Sequence, residues 1–360
     1  MYNIPSIGNF ETLPEVALAI YESDLEKMQA LYQADWDINK SIHFNKYIDM
    51  VPIAIAVMTN QLPALKWLLA KQVSLDIGEL TIIEMAAQHS KNKIVELLLE
   101  HNALDFLPIK NYGEIFERIQ YGDKYEHIQL FEKYGVTIKK YGGAALRSSA
   151  FDGNMDKIKM WLEMGADINY HQPNMVFPYA STPLIEAVRA NHNDIALYLI
   201  KNGCDVTITD KDGLRAYSVA LRENNTQLMQ VLKSLEPPQW HDEQEKIRQI
   251  KRYKIPADML EYLKQPPKKI YFSGKDTHSK YITFYQLVDL QEIKWHRKNL
   301  LCFIEKVENY ELYLVWSPIK KMICCLDLEH DMLTPMCSWQ EFIGDPEKCI
   351  NKLLDGEYDD

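Results

Sequence analysis

The sequence predicts an α+β chain of two domains, a helical-repeat solenoid over residues 10–235 and a small α+β sheet domain over residues 236–360. Three observations support this prediction. The chain has 360 residues, which is long for a single domain. A helical phrase recurs along residues 10–235, and β-rich segments separated by polar turns follow from residue 270.

The repeated phrase is clearest at residues 181–213, STPLIEAVRANHNDIALYLIKNGCDVTITDKDG. It contains a short helix opened by Thr-Pro-Leu, a second helix closed by paired aliphatic residues, and a turn that contains glycine. Ala56 and Ala86 lie 30 residues apart, and Ala187 and Ala220 lie 33 residues apart. This period predicts about six or seven copies of the phrase.

Each copy is expected to form two short antiparallel helices. Alanines on the first helix allow close packing against the neighbouring copy, and aliphatic pairs such as Leu68–Leu69 and Leu199–Ile200 supply the core between copies. Gly165 and Gly203 suit the left-handed conformation that follows a helix. Because one unit cannot bury its apolar face alone, the copies must stack.

Residues 10–235 resemble the ankyrin repeat, with Thr182-Pro183-Leu184 at the position of that family's usual Thr-Pro-Leu-His. Ile185 replaces the family's histidine, so the hydrogen bond of that histidine is not expected here. The resemblance implies a protein-binding surface built from loops and a concave face. It implies no enzymatic activity.

An insertion, YHQPNMVFPYA at residues 170–180, lengthens one copy. Insertions in repeats map to loops, and aromatic residues in loops are typical of binding interfaces. The alternative is a tolerated loop whose aromatic residues pack on their own scaffold. The partner-binding candidates in and beside the insertion are Tyr170, His171, Asn174, Phe177, Tyr179, Arg147, Arg189 and Arg222.

The repeat ends at Glu236-Pro237-Pro238, since two prolines cannot continue a helix. A charged helix, a short helix beginning near Pro256, several strands and a closing helix beginning near Ser338 are expected to follow. The strand segments are IYFSG, YITFYQLVDL, NLLCFIEKV, YELYLVWS and KKMICCLDLEHD.

Residues 245–358 resemble the SUKH superfamily in the order of these elements and in several short motifs. The matching motifs are Ile255-Pro256, Tyr285 to Leu290, Cys325 to His330, and Ser338-Trp339 with Phe342. The family's usual Asn-Gly-Gly after the first helix is replaced by Gln265-Pro266-Pro267. Many bacterial members are immunity proteins that neutralise toxins, so the resemblance implies such a role.

No motif predicts catalysis or a cofactor. Ser273-Gly274-Lys275 lacks the first glycine of a phosphate-binding loop. Cys324 and Cys325 point to opposite faces of a strand and cannot bind one metal together. His192 with Asp194 fits the turn of an ankyrin repeat, and His241 has no second ligand pair at useful spacing.

Two further surfaces in the C-terminal domain are candidates for partner binding. One is a basic aromatic patch that begins at Trp295, and the other is an acidic turn formed by Asp327, Glu329 and Asp331. The alternative for both surfaces, and for the acidic tail that ends at Asp360, is a solvated loop, which is the more usual role of such charged segments.

The net charge of −11 argues against nucleic-acid binding, which relies on neutralising phosphates, and suits a basic protein partner. The N-terminus lacks the pattern of a signal peptide, and the longest apolar run, residues 50–58, is too short to cross a membrane. The six cysteines show no paired spacing. A cytoplasmic location is therefore expected.

The leading hypothesis is an immunity protein that binds a cognate toxin domain, for example a basic nuclease or another secreted effector domain, and blocks it by stoichiometric occlusion. The alternative is an intracellular ankyrin-repeat adaptor or regulator that binds other protein partners. The two differ in partner. An immunity protein holds one toxin tightly, and an adaptor holds several proteins transiently.

Overall fold

The computed structural model describes residues 1–78, 80–265, 269–274, 277–310 and 312–358. Pro266, Pro267 and Lys275, named in the sequence analysis, lie outside the described residues, as do Asp359 and Asp360 of the acidic tail. The chain divides into two compact units, Met1–Asn174 and Met175–Asp360.

The described part of the first unit holds five helix pairs, a single short helix and two β-hairpins. The pairs are α1 (Glu15–Tyr21) with α2 (Leu25–Gln33), α3 (Pro52–Met58) with α4 (Leu62–Ala70), α5 (Ile82–His89) with α6 (Asn92–Glu100), α7 (Tyr112–Tyr121) with α8 (Ile128–Lys133), and α10 (Gly143–Phe151) with α11 (Met155–Glu163). The short helix α9 is Ile138–Tyr141. The hairpins are β1 (Tyr2–Ile4) with β2 (Gly8–Phe10), and β3 (Ile42–Asn45) with β4 (Ile48–Met50).

The second unit begins with two more helix pairs and continues into the C-terminal elements. The pairs are α12 (Pro183–Arg189) with α13 (Asn193–Lys201), and α14 (Ala216–Arg222) with α15 (Thr226–Leu235). The later helices are α16 (Glu243–Ile250), α17 (Ala257–Leu263), α18 (Trp339–Gly344) and α19 (Pro346–Leu354). The strands are β5 (Lys269–Tyr271), β6 (Tyr281–Phe284), β7 (Gln291–Trp295), β8 (Lys298–Cys302), β9 (Ile304–Val307), β10 (Tyr313–Ser317), β11 (Met322–Asp327) and β12 (Met332–Pro335).

The helix pairs pack through the alanines and the aliphatic pairs that the sequence predicts to lie between copies. Ala56, Ala86 and Ala187 are fully buried on first helices, and these helices stack on their neighbours within each unit. Of the aliphatic pairs, Leu68 and Leu199 are fully buried, and their partners are half-buried. Packing of one apolar face per helix therefore holds the repeats together.

The left-handed residue after the second helix is confirmed at Gly165, where φ is 88°, and at Gly203, where φ is 83°. Other copies place non-glycine residues there. Asp35, Gln72 and Asn102 have φ of 63°, 60° and 60°. A search for glycine therefore finds Gly135 (φ 83°) after the fourth helix pair and misses the first three copies, although each of these also has a left-handed residue there.

Two N-terminal caps confirm helix starts that the sequence indicates. The Thr182 hydroxyl accepts a 3.1 Å hydrogen bond from the Ile185 amide at the start of α12. Ser338 and Glu341 form a reciprocal capping box at the start of α18. The closing helix is interrupted at Asp345, so that α18 and α19, which begins at Pro346, replace one continuous helix.

The C-terminal strands form two antiparallel sheets within the described residues. The larger has the order β12-β11-β10-β8-β7, and the smaller has the order β5-β6-β9. The expected single strand over NLLCFIEKV is divided at Phe303 between the two sheets, and Leu287–Asp289 forms a 3₁₀ turn. The sequence analysis did not predict β7 and β12 as strands.

The core of the C-terminal elements is aromatic. Trp339 and Phe342 of α18 pack edge-on against Phe284 and Phe303, with ring centroids 5.7–6.4 Å apart. Such edge-to-face pairs add stability beyond the buried area. The C-terminal region is therefore sheet-rich, with its own core and separate from the repeats in fold type.

The unit boundary lies between Asn174 and Met175, inside the insertion, because α12 to α15 belong to the same compact unit as the sheets. The division of the sequence at residues 235 and 236, based on the end of the repeat, stays a prediction. Within the described residues, no helix is long and apolar enough to cross a membrane.

Candidate functional site

The first part of the insertion is anchored inside the first unit. Tyr170 is 9% exposed, and its ring lies 5.0 Å from the guanidinium of Arg147, which has no exposed surface. Arg147 also donates a 2.7 Å hydrogen bond to the carbonyl oxygen of Gln172. Arg147 is therefore fully buried in the first unit, and Tyr170 is nearly so.

Glu117 of α7, which was not among the candidates from the sequence, holds two residues of this region by hydrogen bonds. Its carboxylate accepts a 2.5 Å hydrogen bond from Ser148 and a 3.2 Å hydrogen bond from Asn174. Burial raises the pKa of the Glu117 carboxyl, and the bond from Ser148 and the charge of Arg147 oppose that rise. Asn174 thus fixes the end of the first unit, while His171 is exposed on its surface.

In the second part of the insertion, Phe177 is 5% exposed and Tyr179 is 47% exposed. For Tyr170 and Phe177 the structure matches the alternative interpretation, aromatic residues that pack on their own scaffold. The carbonyl oxygen of Tyr179 accepts a 2.7 Å hydrogen bond from the Lys211 amide, and its ring lies 6.0 Å from the Arg189 guanidinium. Tyr179 is therefore held in place and still accessible.

Five of the predicted binding residues line one groove of about 580 Å³ within the second unit. They are Tyr179, Arg189 and Arg222 from the repeats, and Asp327 and Glu329 from the acidic turn. We call this feature the repeat–sheet groove. Its other lining residues include Asp212, Glu223, Glu305, Lys306, Tyr310 and Tyr313.

The two arginines of the groove are held by neighbouring groups. Arg189 donates to Glu186 at 2.5 Å and to Asp210 at 3.3 Å. Arg222 donates to the Tyr313 hydroxyl at 3.4 Å and lies 5.2 Å from the centre of that ring. The charge of Arg189 is therefore balanced by two carboxylates, and the guanidinium of Arg222 is held by Tyr313.

Carboxylates outnumber cations among the residues that line the groove. Glu223 and Glu329 are exposed, and Asp212 and Asp327 are half-exposed. Burial raises the pKa of the Asp212 carboxyl, and the charges of Arg189 and Arg222 oppose that rise. Lys306 is an exposed cation at the same groove. Charged groups of both signs are therefore accessible in the groove.

Trp295 and Asp331 lie outside the groove lining and contact each other. The Trp295 indole donates a 2.7 Å hydrogen bond to Asp331, and His296 approaches the same carboxylate at 2.9 Å. The Lys298 ammonium lies 4.6 Å from the Trp295 ring. The basic aromatic patch and the end of the acidic turn, predicted as two surfaces, thus form one internally paired cluster.

The described residues that were weighed for phosphate or metal binding make internal contacts or are buried. Glu347 accepts hydrogen bonds from the amides of Ser273 at 2.9 Å and Gly274 at 2.7 Å, so a carboxylate occupies the amides that a phosphate would need. Cys324 and Cys325 are buried. Within the described residues, no group of three or more His, Cys, Asp or Glu side chains is arranged to hold a metal ion.

Several groove residues had no sequence signal. Asp212 follows the repeat's turn, and Tyr310 and Tyr313 belong to a β-rich segment in which aromatic residues are ordinary. Their convergence depends on how α12 to α15 contact the strands of the second unit, which a repeat pattern does not contain.

Comparison with known proteins identifies the repeats. Residues 145–239 match the family model for ankyrin repeats in three copies. Human protein phosphatase 1 regulatory subunit 27 is 39% identical over 77 residues, which are 21% of this chain and 47% of that protein. The chain therefore matches about half the length of this curated relative. The crystal structure of the ankyrin repeat domain of Bcl-3, a member of the IkappaB protein family, aligns with a TM-score of 0.42 at 18% identity, covering 57% of this chain and 93% of that chain.

Proposed function

We propose that this protein is a non-catalytic adaptor or regulator that binds protein partners, and that the repeat–sheet groove holds a basic segment of the partner. The observation that carries the proposal is the joint lining of the groove by the last repeats and the acidic turn. Ankyrin repeats indicate protein–protein interaction, and the human relative is itself a regulatory subunit by name.

The chemistry of the groove supports a basic partner. Exposed tyrosines at positions 179 and 310 supply large contact area, and the carboxylates around them attract positive charge. A groove of this kind needs no cofactor. The proposal places the protein in the cytoplasm, away from nucleic acid and membranes, which agrees with six free cysteines and the negative net charge.

The test is affinity purification of the tagged full chain from its native host, with a groove variant and a matched control. Glu223→Lys with Glu329→Lys reverses two exposed groove carboxylates, and Glu96→Lys with Glu100→Lys reverses two exposed carboxylates of α6. We expect the same partner to co-purify with the wild type and the control, and to be lost from the groove variant. Loss from the control, or retention by the groove variant, would refute the proposal.

Immunity against a toxin is the narrower form of the same proposal. It rests on the resemblance of residues 245–358 to the SUKH superfamily. The acidic groove would suit a basic toxin domain. Its test is co-expression of the chain with a toxin domain identified among the co-purified proteins. Rescue of growth by the wild type, but not by the groove variant, would support immunity. Several partners without toxicity would leave the adaptor role alone.

A further inference from the structure

A second cavity of about 460 Å³ lies within the second unit, separate from the repeat–sheet groove except at Glu305. Its walls come from α14 and α15 on one side and from β6, the following 3₁₀ turn and β9 on the other. We call it the α15–β6 cavity. The lining residues that matter here are Tyr217, Met229, Phe284, Tyr285, Asp289 and Glu305.

Asp289 is the unusual member of this lining. The residue is only 5% exposed, and its Oδ1 atom has no hydrogen-bond partner within the part of the chain that the structure describes. Tyr217 forms a hydrogen bond with the same carboxyl group. Burial raises the pKa of the Asp289 carboxyl. A buried carboxylate with an unsatisfied oxygen is costly unless a cation or donor reaches it.

Glu305 adds a second carboxylate to the cavity. It is half-buried, and the charges of Arg222 and Lys306 act on its carboxyl. Two lysines also line the cavity. Lys233 is exposed, and the Lys269 ammonium lies 3.5 Å from the centre of the Tyr281 ring. Both lining lysines are exposed, and the charges of Lys233, Arg215 and Lys246 act on the Asp289 carboxyl without forming, among the described residues, an ion pair that satisfies its Oδ1 atom.

The rest of the lining suits an aliphatic stem that ends in a cation. Phe284 and Tyr285 are buried, and Met229 is half-buried. Aromatic rings attract ammonium groups as well as alkyl chains, and a volume of a few hundred Å³ is typical of small-molecule sites. We propose that the α15–β6 cavity binds a small aliphatic amine, whose ammonium group donates hydrogen bonds to Asp289 and Glu305.

The test is isothermal titration calorimetry of the full chain with three four-carbon probes: 1,4-diaminobutane, 1,4-butanediol and succinate. The diamine should bind saturably, and the neutral diol and the dianion should not. Asp289→Asn should weaken diamine binding at least about tenfold, a loss of about 1.4 kcal/mol. Glu163→Gln, which changes an exposed carboxylate of α11, should leave binding unchanged.

Three outcomes would overturn the proposal. These are no saturable binding of the diamine, equal binding of the diol or succinate, and equal binding of the diamine by the Asp289→Asn variant. If Asp289→Asn does not fold, Glu305→Gln carries the same expectation. Glu223 and Glu329 do not line this cavity, so the groove variant should still bind the diamine. The two proposals can therefore fail separately.

Discussion

At the scale of single residues, buried charges decide local stability. Arg147 is buried in the first unit, where its guanidinium lies 5.0 Å from the ring of Tyr170 and donates a hydrogen bond to the carbonyl of Gln172, and its charge acts on the buried carboxyl of Glu117. Removing one partner of a buried charge pair leaves the other uncompensated, which is more costly than losing an exposed ion pair.

We therefore expect Arg147→Ala to lower the free energy of unfolding by about 3–5 kcal/mol. Chemical denaturation followed by circular dichroism measures this change. Lys93→Ala, at an exposed position in the same unit, is the control and should change stability by less than about 0.5 kcal/mol. Equal effects of the two substitutions would contradict the structural role of Arg147.

Glu305 should make stability depend on pH. Burial raises the pKa of its carboxyl to about 7, the charge of Asp289 adds to the rise, and Arg222 and Lys306 oppose it. The same group in an unfolded chain has a pKa of about 4.3. Between these values the folded state binds more protons, so the contribution of Glu305 to the unfolding free energy falls as pH rises.

Glu305→Gln removes this contribution. At pH 8 the variant should be more stable than the wild type by on the order of 1–2 kcal/mol, allowing for solvent screening. Near pH 4 the difference should disappear, because the glutamate is protonated in both states. Denaturant titrations at the two pH values measure it, and a difference that does not change with pH would contradict the assignment.

At the scale of elements, substituting the left-handed residue that follows a second helix tests the repeat geometry. Gly203 has φ of 83° with open space around its Cβ position, so an alanine there is strained only by its backbone. We expect Gly203→Ala to cost about 1 kcal/mol in the unfolding free energy. Gly344→Ala also has open space and no positive φ, and it should be nearly neutral. Chemical denaturation compares them, and equal effects would contradict the prediction.

Sequence patterns predicted the elements whose causes are local. Thr182 and Ser338 start helices with caps that neighbouring residues complete. The strand β12 was missed because Met332–Pro335 is short and ends in proline, which suits an edge strand with its pairing on one side. The burial of Arg147 was missed because Glu117 lies 30 residues away, in another repeat.

The sequence predicted several residues that line the groove, but it did not predict that they lie together. Tyr179, Arg189 and the acidic turn were each candidates, and no spacing in the sequence relates a repeat to a turn more than 100 residues later. Trp295 and Asp331 show the opposite case. Two predicted surfaces turned out to satisfy each other, because both side chains lie in the same cluster.

At the scale of the whole molecule, helical repeats and a sheet-rich region line one groove. The last two repeats and the C-terminal strands share a compact unit, and both contribute to an acidic groove with accessible tyrosines. We expect protein partners to bind at this groove. Tyr310 lines the groove, and Tyr47, which is 85% exposed, lies on the β3–β4 hairpin of the first unit.

The most direct measurement is site-specific photo-crosslinking in the native host, with p-benzoylphenylalanine placed at position 310 or at position 47. We predict a partner adduct from position 310 that disappears when Glu223→Lys and Glu329→Lys are added, and no such adduct from position 47. An adduct that forms from position 47 and not from position 310 would contradict the account, because the partner would then bind the first unit.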